Sequence, residues 1–342
     1  MLLKNLVHFI QELISSSSSL NIRVYFYFGF PLIGLILTYV LIKYLFKGKI
    51  NVGIPGVLQA ISKKNSVIRS LNTFSSIAAS ALTVGFGGSV GLEGPAVSSS
   101  GAIGSSLGRY LKLDYKTVTL LIGCGTVGAM SGIFNAPIAA LVFALEVFMF
   151  DLTLTSMIPF LMASVSATIT SRLMLGDNIL FNIQIQDGFG ASDVPFYVLL
   201  GVFTGLFSVY FNKIYWFIED LFAKFNKPLI RLFVGGSLLG ALVFLMPPLY
   251  GEGFVTIKQL LSGNYNSLVN DTIFYDFKDN LMIMLILILG LALFKVVATA
   301  VTIGAGGIGG VFAPSLFVGA TTGFLFSKAM NFFGCLLYTS PS

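Results

Sequence analysis

Residues 83–109 read TVGFGGSVGLEGPAVSSSGAIGSSLGR, and residues 302–328 read TIGAGGIGGVFAPSLFVGATTGFLFSK. Laid one above the other, they need no gap. Thr83 meets Thr302, Gly85 meets Gly304, and the pair Gly87 and Gly88 meets Gly306 and Gly307. Gly91 meets Gly310, Pro95 meets Pro314, Gly104 meets Gly323, and Arg109 meets Lys328. Two unrelated packing helices would share a glycine-rich composition but not this register. Agreement at the glycines, the proline and the terminal base marks an internal repeat. Glycine-interrupted segments at matching places in two halves point to an inverted-repeat transport fold, with its site near the bilayer midplane.

The rest of the chain fits a membrane setting. Of 342 residues 56% are hydrophobic and only 10% charged, against about 25% charged in a soluble domain. The net charge of +6 is the kind that sits at cytoplasmic helix ends. No basic cluster interleaves with aromatics, so nucleic acid is not an expected partner. Cys124 and Cys335 make neither a disulfide framework nor a metal site. With His8 as the single histidine, a zinc cluster and a serine-histidine-aspartate triad are both set aside. No cofactor or metal is expected. The apolar segments carry no paired carboxylates, which leaves little for a membrane enzyme.

A spanning helix needs about 20 apolar residues. The stretches 24–42, 117–145, 152–171, 194–212 and 232–251 are uncharged and near or above that length. Lys43, Lys47 and Lys49 place the end of the first on the cytoplasmic side. Stretch 296–327 is uncharged and too long for one simple span, and Lys295 before it is expected to snorkel to the surface. Residues 174–193 and 251–280 read as loops outside the membrane. Leu6, Phe9, Ile10 and Leu13 fall at helical spacing, so residues 1–23 read as an amphipathic surface helix without a cleaved signal. Residues 24–193 form a first repeat half and 194–334 a second, incomplete one. The tail CLLYTSPS, 335–342, reads as non-native. The expected fold is all-α: a polytopic membrane protein with many tilted and broken helices in two inverted-topology repeats.

Glu93 is the sole charge between residues 70 and 108. A lone carboxylate inside a membrane costs several kcal/mol, so it points to function. In GLEGP, 91–95, the glycines break the backbone and Pro95 suits the first turn of a helix. The free N–H groups and positive end of that helix make an anion site without a basic side chain. A carboxylate beside it competes with a mobile anion until it is protonated, which makes a gate and a proton carrier. The plainer alternative is a structural cap at the membrane surface. GGVFAP, 309–314, repeats the layout, with Phe312 in the place of Glu93 and the N–H groups of Val311 and Phe312 aimed at the same centre. NVGIPG, 51–56, is a third, weaker loop-to-helix signal. Glu146 ends the run GIFNAPIAALVFALE; it sits near an aqueous end, pairs internally, or lies on a proton path.

Together these motifs resemble the CLC family of chloride channels and proton/chloride antiporters. GLEGP looks like its G-R/K-E-G-P motif, GGVFAP like G-x-F-x-P, and NVGIP (51–55) like G-S-G-I-P. FNAPIAALVFALE, 134–146, is similar to the helix after the first of these repeat motifs. The resemblance runs from about residue 30 to 334. It implies an integral, multi-pass protein of a bacterial plasma membrane, working as a homodimer in which each subunit carries its own anion path. It implies that Glu93 is the external gate and that Leu92, Glu93 and Gly94 form the outer anion site. Val311 and Phe312, with Val52, Gly53 and Ile54, would form the central one. Four positions depart from the family, the first being Asn51 in the place of a glycine. Val52 stands where a serine hydroxyl is usual, Leu92 where a basic residue is usual, and Val147 where proton-coupled members carry a second glutamate. Family members also continue beyond this point with further helices. The expected function is therefore passage of chloride or a similar anion across a lipid bilayer through a channel gated by Glu93. Proton-coupled exchange of chloride or fluoride is the alternative, and another inverted-repeat secondary transporter a more distant one.

Overall fold

The computed structural model describes residues 2–16, 20–46, 53–63, 65–149, 153–176, 193–263, 268 and 281–332. Over these residues the chain is built of helices. The first half runs through α1 (Leu2–Ser16), α2 (Leu20–Val40) with a π-helical turn at Leu41–Leu45, and α3 (Gly53–Lys63). It continues with α4 (Asn72–Gly85), α5 (Glu93–Tyr110), α6 (Tyr115–Phe134), α7 (Pro137–Phe148) and α8 (Leu154–Leu175). The second half holds α9 (Val194–Ala223), α10 (Pro228–Leu245), a 3-10 turn at Pro247–Leu249, and α11 (Phe254–Leu261). It ends with α12 (Leu281–Gly304) and α13 (Phe312–Phe332).

Among the described residues, six helical stretches are long and apolar enough to cross a membrane: Phe28–Leu45, Tyr115–Phe134, Thr155–Met174, Val194–Ala223, Pro228–Leu245 and Met282–Gly304. The uncharged stretch 117–145 is two helices. Asn135 turns into left-handed backbone (φ 53°) at the end of α6, and Pro137 opens α7. Stretch 296–327 divides in the same way between α12 and α13. One expected loop needs correction. Within 251–280, residues Phe254–Leu261 form α11, because Phe254, Ile257 and Leu260 recur at helical spacing and bury one face. Most of the other expected loop, 174–193, lies outside the described residues. The amphipathic helix α1 rests on α4, with Leu3 and Val7 buried and Ile10 beside them; Leu6 and Phe9 face outward.

Two large apolar cores form, and Leu35 of α2 joins the second of them. Val57, Val97, Ile122, Met130, Leu141 and Phe160 centre the first; Leu35, Phe222, Leu239, Leu291 and Phe317 centre the second. Phe134 packs against both, and Phe312 of the second half packs into the first. α5 is rich in serine and glycine and would be a poor lipid-facing helix. Protein satisfies it instead. Ser99 Oγ donates to the Thr73 carbonyl at 2.7 Å, and Ser105 Oγ donates to the Ser66 carbonyl at 2.7 Å. Against α6 the backbones come so close that a Cβ on Gly104 would overlap the Leu121 carbonyl. Broken, polar backbone at membrane depth persists only in such a casing.

The repeat is visible in backbone detail. α4 and α12 end on aligned turns, with Gly87 at φ 103° and Gly306 at φ 98°. Gly88 N–H donates to the Thr83 carbonyl at 2.7 Å, and Gly307 N–H to the Thr302 carbonyl at 2.9 Å. α5 and α13 begin at the aligned residues Glu93 and Phe312. Between these points the two loops cross. Gly91 and Gly310 exchange both N–H···O bonds at 2.8 Å in one antiparallel bridge. Two hydroxyls are exchanged alongside: Ile308 N–H donates to Thr83 Oγ1 at 3.0 Å, and Ser89 N–H donates to Thr302 Oγ1 at 3.2 Å. Reciprocal contacts of this kind are what a two-fold axis produces, so the axis relating the halves passes through the Gly91–Gly310 bridge. Thr83→Val and Thr302→Val each leave a loop N–H without its acceptor. Each is expected to lose about 1–3 kcal/mol of stability, read as matched drops in thermal unfolding temperature in detergent. The Thr83 variant should lose slightly more, because Thr38 Oγ1 also meets Thr83 Oγ1 at 3.1 Å.

Candidate functional site

Three helix starts meet beside this crossing. A Cβ built on Gly94, in the first turn of α5, would lie 3.3 Å from Gly310 Cα and 3.6 Å from Gly53 Cα. Gly53 opens α3, and Gly310 stands two residues before α13. The first N–H groups of a helix have no partner inside it, and its start carries partial positive charge. α3, α5 and α13 thus bring three such ends to one place. Ile54 follows Gly53 and packs on the first core. Val52, like Asn51, lies outside the described residues.

Glu93 is the first residue of α5 and is only 1% exposed. Its carboxylate lies over Gly91. A Cβ on Gly91 would overlap Glu93 Oε2 and would also stand 2.9 Å from Ala313 Cβ, in the first turn of α13. The acid is therefore seated on the bridge between the repeats. Phe312, the aligned partner of Glu93, meets two rings edge-on. Its centroid is 5.7 Å from that of Phe134 and 5.4 Å from that of Phe143. Val311, just before it, is 40% exposed. Glu146 is exposed on α7, one turn beyond Phe143, and Val147 is half-buried against the first core.

Two features run against the sequence reading. Leu92 is buried, and its N–H donates to Glu252 Oε1 at 3.1 Å, so that amide already serves a protein carboxylate. Lys295 does not snorkel. It is 0% exposed, because the carbonyls of Gly251 and Leu249 turn toward it and accept from Nζ at 2.8 and 3.3 Å. A cation this deep is held by such acceptors rather than by water. Sequence reasoning passed over Glu252 as part of an outer loop. Its signal was an acid between two glycines in GEGF, 251–254, much as Glu93 stands between Leu92 and Gly94 in GLEGP.

The sequence agrees with known proteins. The family model described as voltage gated chloride channel matches residues 33–341. A ClcB-like chloride channel protein from Ralstonia nicotianae is 28% identical over 82% of this chain and 62% of its own length. The H(+)/Cl(-) exchange transporter ClcA of Vibrio cholerae is 29% identical over 71% of this chain and 50% of its own. The chain thus spans about three fifths and one half of the length of these two relatives. Among solved structures, a CLC-type fluoride/proton antiporter superposes with a TM-score of 0.73 at 24% identity, covering 97% of this chain and 77% of that one. The fold, the ordered motifs and a match across most of the sequence show that this integral membrane protein belongs to the voltage gated chloride channel family, the CLC proteins.

Proposed function

We infer that the protein passes a small anion, chloride or one of similar size, across the bilayer at the meeting point of α3, α5 and α13, with Glu93 as its gate. The approach of three helix starts at Gly94, with a buried carboxylate lying over Gly91, carries this reading. Helix-start amides bind anions without a basic side chain. Gly53 and Ile54, Glu93 and Gly94, and Val311 and Phe312 offer such amides. Leu92, whose N–H is taken by Glu252, serves through its place in the loop. Ionised, the Glu93 side chain competes with a mobile anion for the same donors; protonated, it gives way. The test is efflux of chloride, fluoride and nitrate from liposomes containing the purified protein. Halide efflux above that of empty liposomes is expected, and efflux no faster than from empty liposomes would end the reading.

A second reading, exchange of the anion for protons, is favoured by the names of relatives: the Vibrio protein is an exchange transporter, and the similar structure a fluoride/proton antiporter. With Val147 in the place of a glutamate, the exposed Glu146 is the carboxylate left on α7 for an inner proton step. Zero-current voltage under a pH gradient separates the two. A steady shift with pH supports exchange, and none supports a channel. Assembly as a homodimer belongs to the same family reading. The outward apolar stripe Ile158, Met162, Val165, Ile169 and Leu173 on α8 offers a face for lipid or a second copy.

A further inference from the structure

The loop between the 3-10 turn and α11 lies as a strap across the loop that leads into α5. Ser89 Oγ donates to the Leu249 carbonyl at 2.7 Å, and Tyr250 Oη donates to the Gly85 carbonyl at 2.6 Å. Leu92 N–H donates to Glu252 Oε1 at 3.1 Å, which ties the strap to the residue just before Glu93. Lys295 on α12 secures the strap through the Leu249 and Gly251 carbonyls. Its Nζ stands 5.0 Å from the centre of the Phe317 ring. Gly253 leaves no room for a side chain: a Cβ there would overlap Phe317 and lie 3.4 Å from Lys295 Nζ. Glu252 stands between Gly251, whose carbonyl accepts from Lys295 Nζ at 2.8 Å, and Gly253, whose added Cβ would lie 3.4 Å from that Nζ, so the two charges belong to neighbouring groups. A buried cation needs such a counter-charge.

We propose that Glu252 is a positioning residue of the gate: a fixed internal anion, counter-charged by Lys295, that holds the Leu92 N–H and sets how strongly the neighbouring helix starts attract a mobile anion. The inference rests on the anion-path reading above. A carboxylate on the amide beside Glu93 removes one donor and adds one negative charge at the edge of the path. Lys295 offsets that charge. A purely structural strap would need the hydrogen bonds but not the charges. Glutamine at 252 separates the two, since its amide oxygen still accepts from Leu92.

The experiment measures initial chloride flux against chloride concentration in liposomes, with fluoride used where the wild-type protein passes it faster. Glu252→Gln is expected to lower the half-saturating concentration by roughly tenfold, the scale on which one unit charge acts near an anion site. Lys295→Gln is expected to raise it by a similar factor. The double variant should return near the wild-type value, with maximal flux within about twofold throughout. An unmoved half-saturation, or a shift of the same sign in both single variants, overturns the proposal. If Glu252→Gln does not fold, the opposite-signed Lys295→Gln carries the test. Wild-type protein that passes no anion defeats the reading beneath; wild-type flux with unmoved variants defeats the inference alone.

Discussion

Replacing Glu93 with alanine is expected to raise anion flux at neutral pH by up to roughly thirtyfold and to abolish its pH dependence. The size follows from the competition at the start of α5. A partly buried carboxylate gains up to ~2 kcal/mol at a helix N-terminus, and removing it frees the same amides for a mobile anion, about a factor of thirty in occupancy. The sign follows from which form blocks. On the gating reading the ionised side chain competes for these donors, so wild-type flux should rise as pH falls and the acid takes up a proton. Glu93→Gln keeps the shape without the charge and should also be flat with pH, at a flux between wild type and alanine. A purely structural cap behaves differently: the alanine variant would then unfold at a lower temperature while flux kept its pH response. Proteoliposome flux from pH 4.5 to 8, with unfolding temperatures for each variant, separates the two. A wild-type pH response surviving in Glu93→Gln would remove Glu93 from the mechanism.

The parts of this protein that could be read from its sequence are those where a local rule and a long-range match coincide. Aligning 83–109 with 302–328 paired Gly91 with Gly310 and Glu93 with Phe312. In the structure the first pair is hydrogen-bonded and the second opens α5 and α13. Glycine spacing carried that information because most of the aligned glycines, from Gly85 and Gly304 to Gly91 and Gly310, mark a turn or a close approach in both halves. Lys295 was misread because its partners stand more than forty positions away, at Leu249 and Gly251. Periodicity within α12 says nothing about which carbonyls an incoming loop will present. α11 was missed because its buried face is short and lies in a stretch whose average character is polar. The division of 117–145 falls at Asn135, a residue that tolerates left-handed backbone, and at Pro137, which suits a helix start, so a local signal for it stands in the sequence. The contact between Glu252 and Leu92 joins two loops from different halves, and no single-segment pattern encodes it.

Gly91→Ala should destabilise the protein, and its cost should depend on Glu93. The added Cβ overlaps the Glu93 carboxylate and stands 2.9 Å from Ala313 Cβ and 3.2 Å from Ala313 N. Overpacking of this kind typically costs about 1–3 kcal/mol, and here it bears on the bridge that joins the two repeats. The two clashes differ in kind. Ala313 is buried in the first turn of α13 and yields only if the helices separate. The carboxylate is the end of a flexible side chain and yields by leaving its seat. Gly91→Ala should therefore lower the unfolding temperature and, on the gating reading, also weaken the pH response of flux, because the acid is displaced from the helix starts. In a Glu93→Ala background the first clash has gone and only the Ala313 contact remains. The stability losses should then be non-additive, with a coupling of roughly 1 kcal/mol, and the flux of the double variant should match that of Glu93→Ala. Strict additivity in unfolding temperature would mean that the carboxylate does not rest over Gly91. The matched change at the aligned position, Gly310→Ala, meets Gly94 N at 3.1 Å and no acid. It should lower stability with no coupling to Glu93, which makes it the control for damage to the bridge itself.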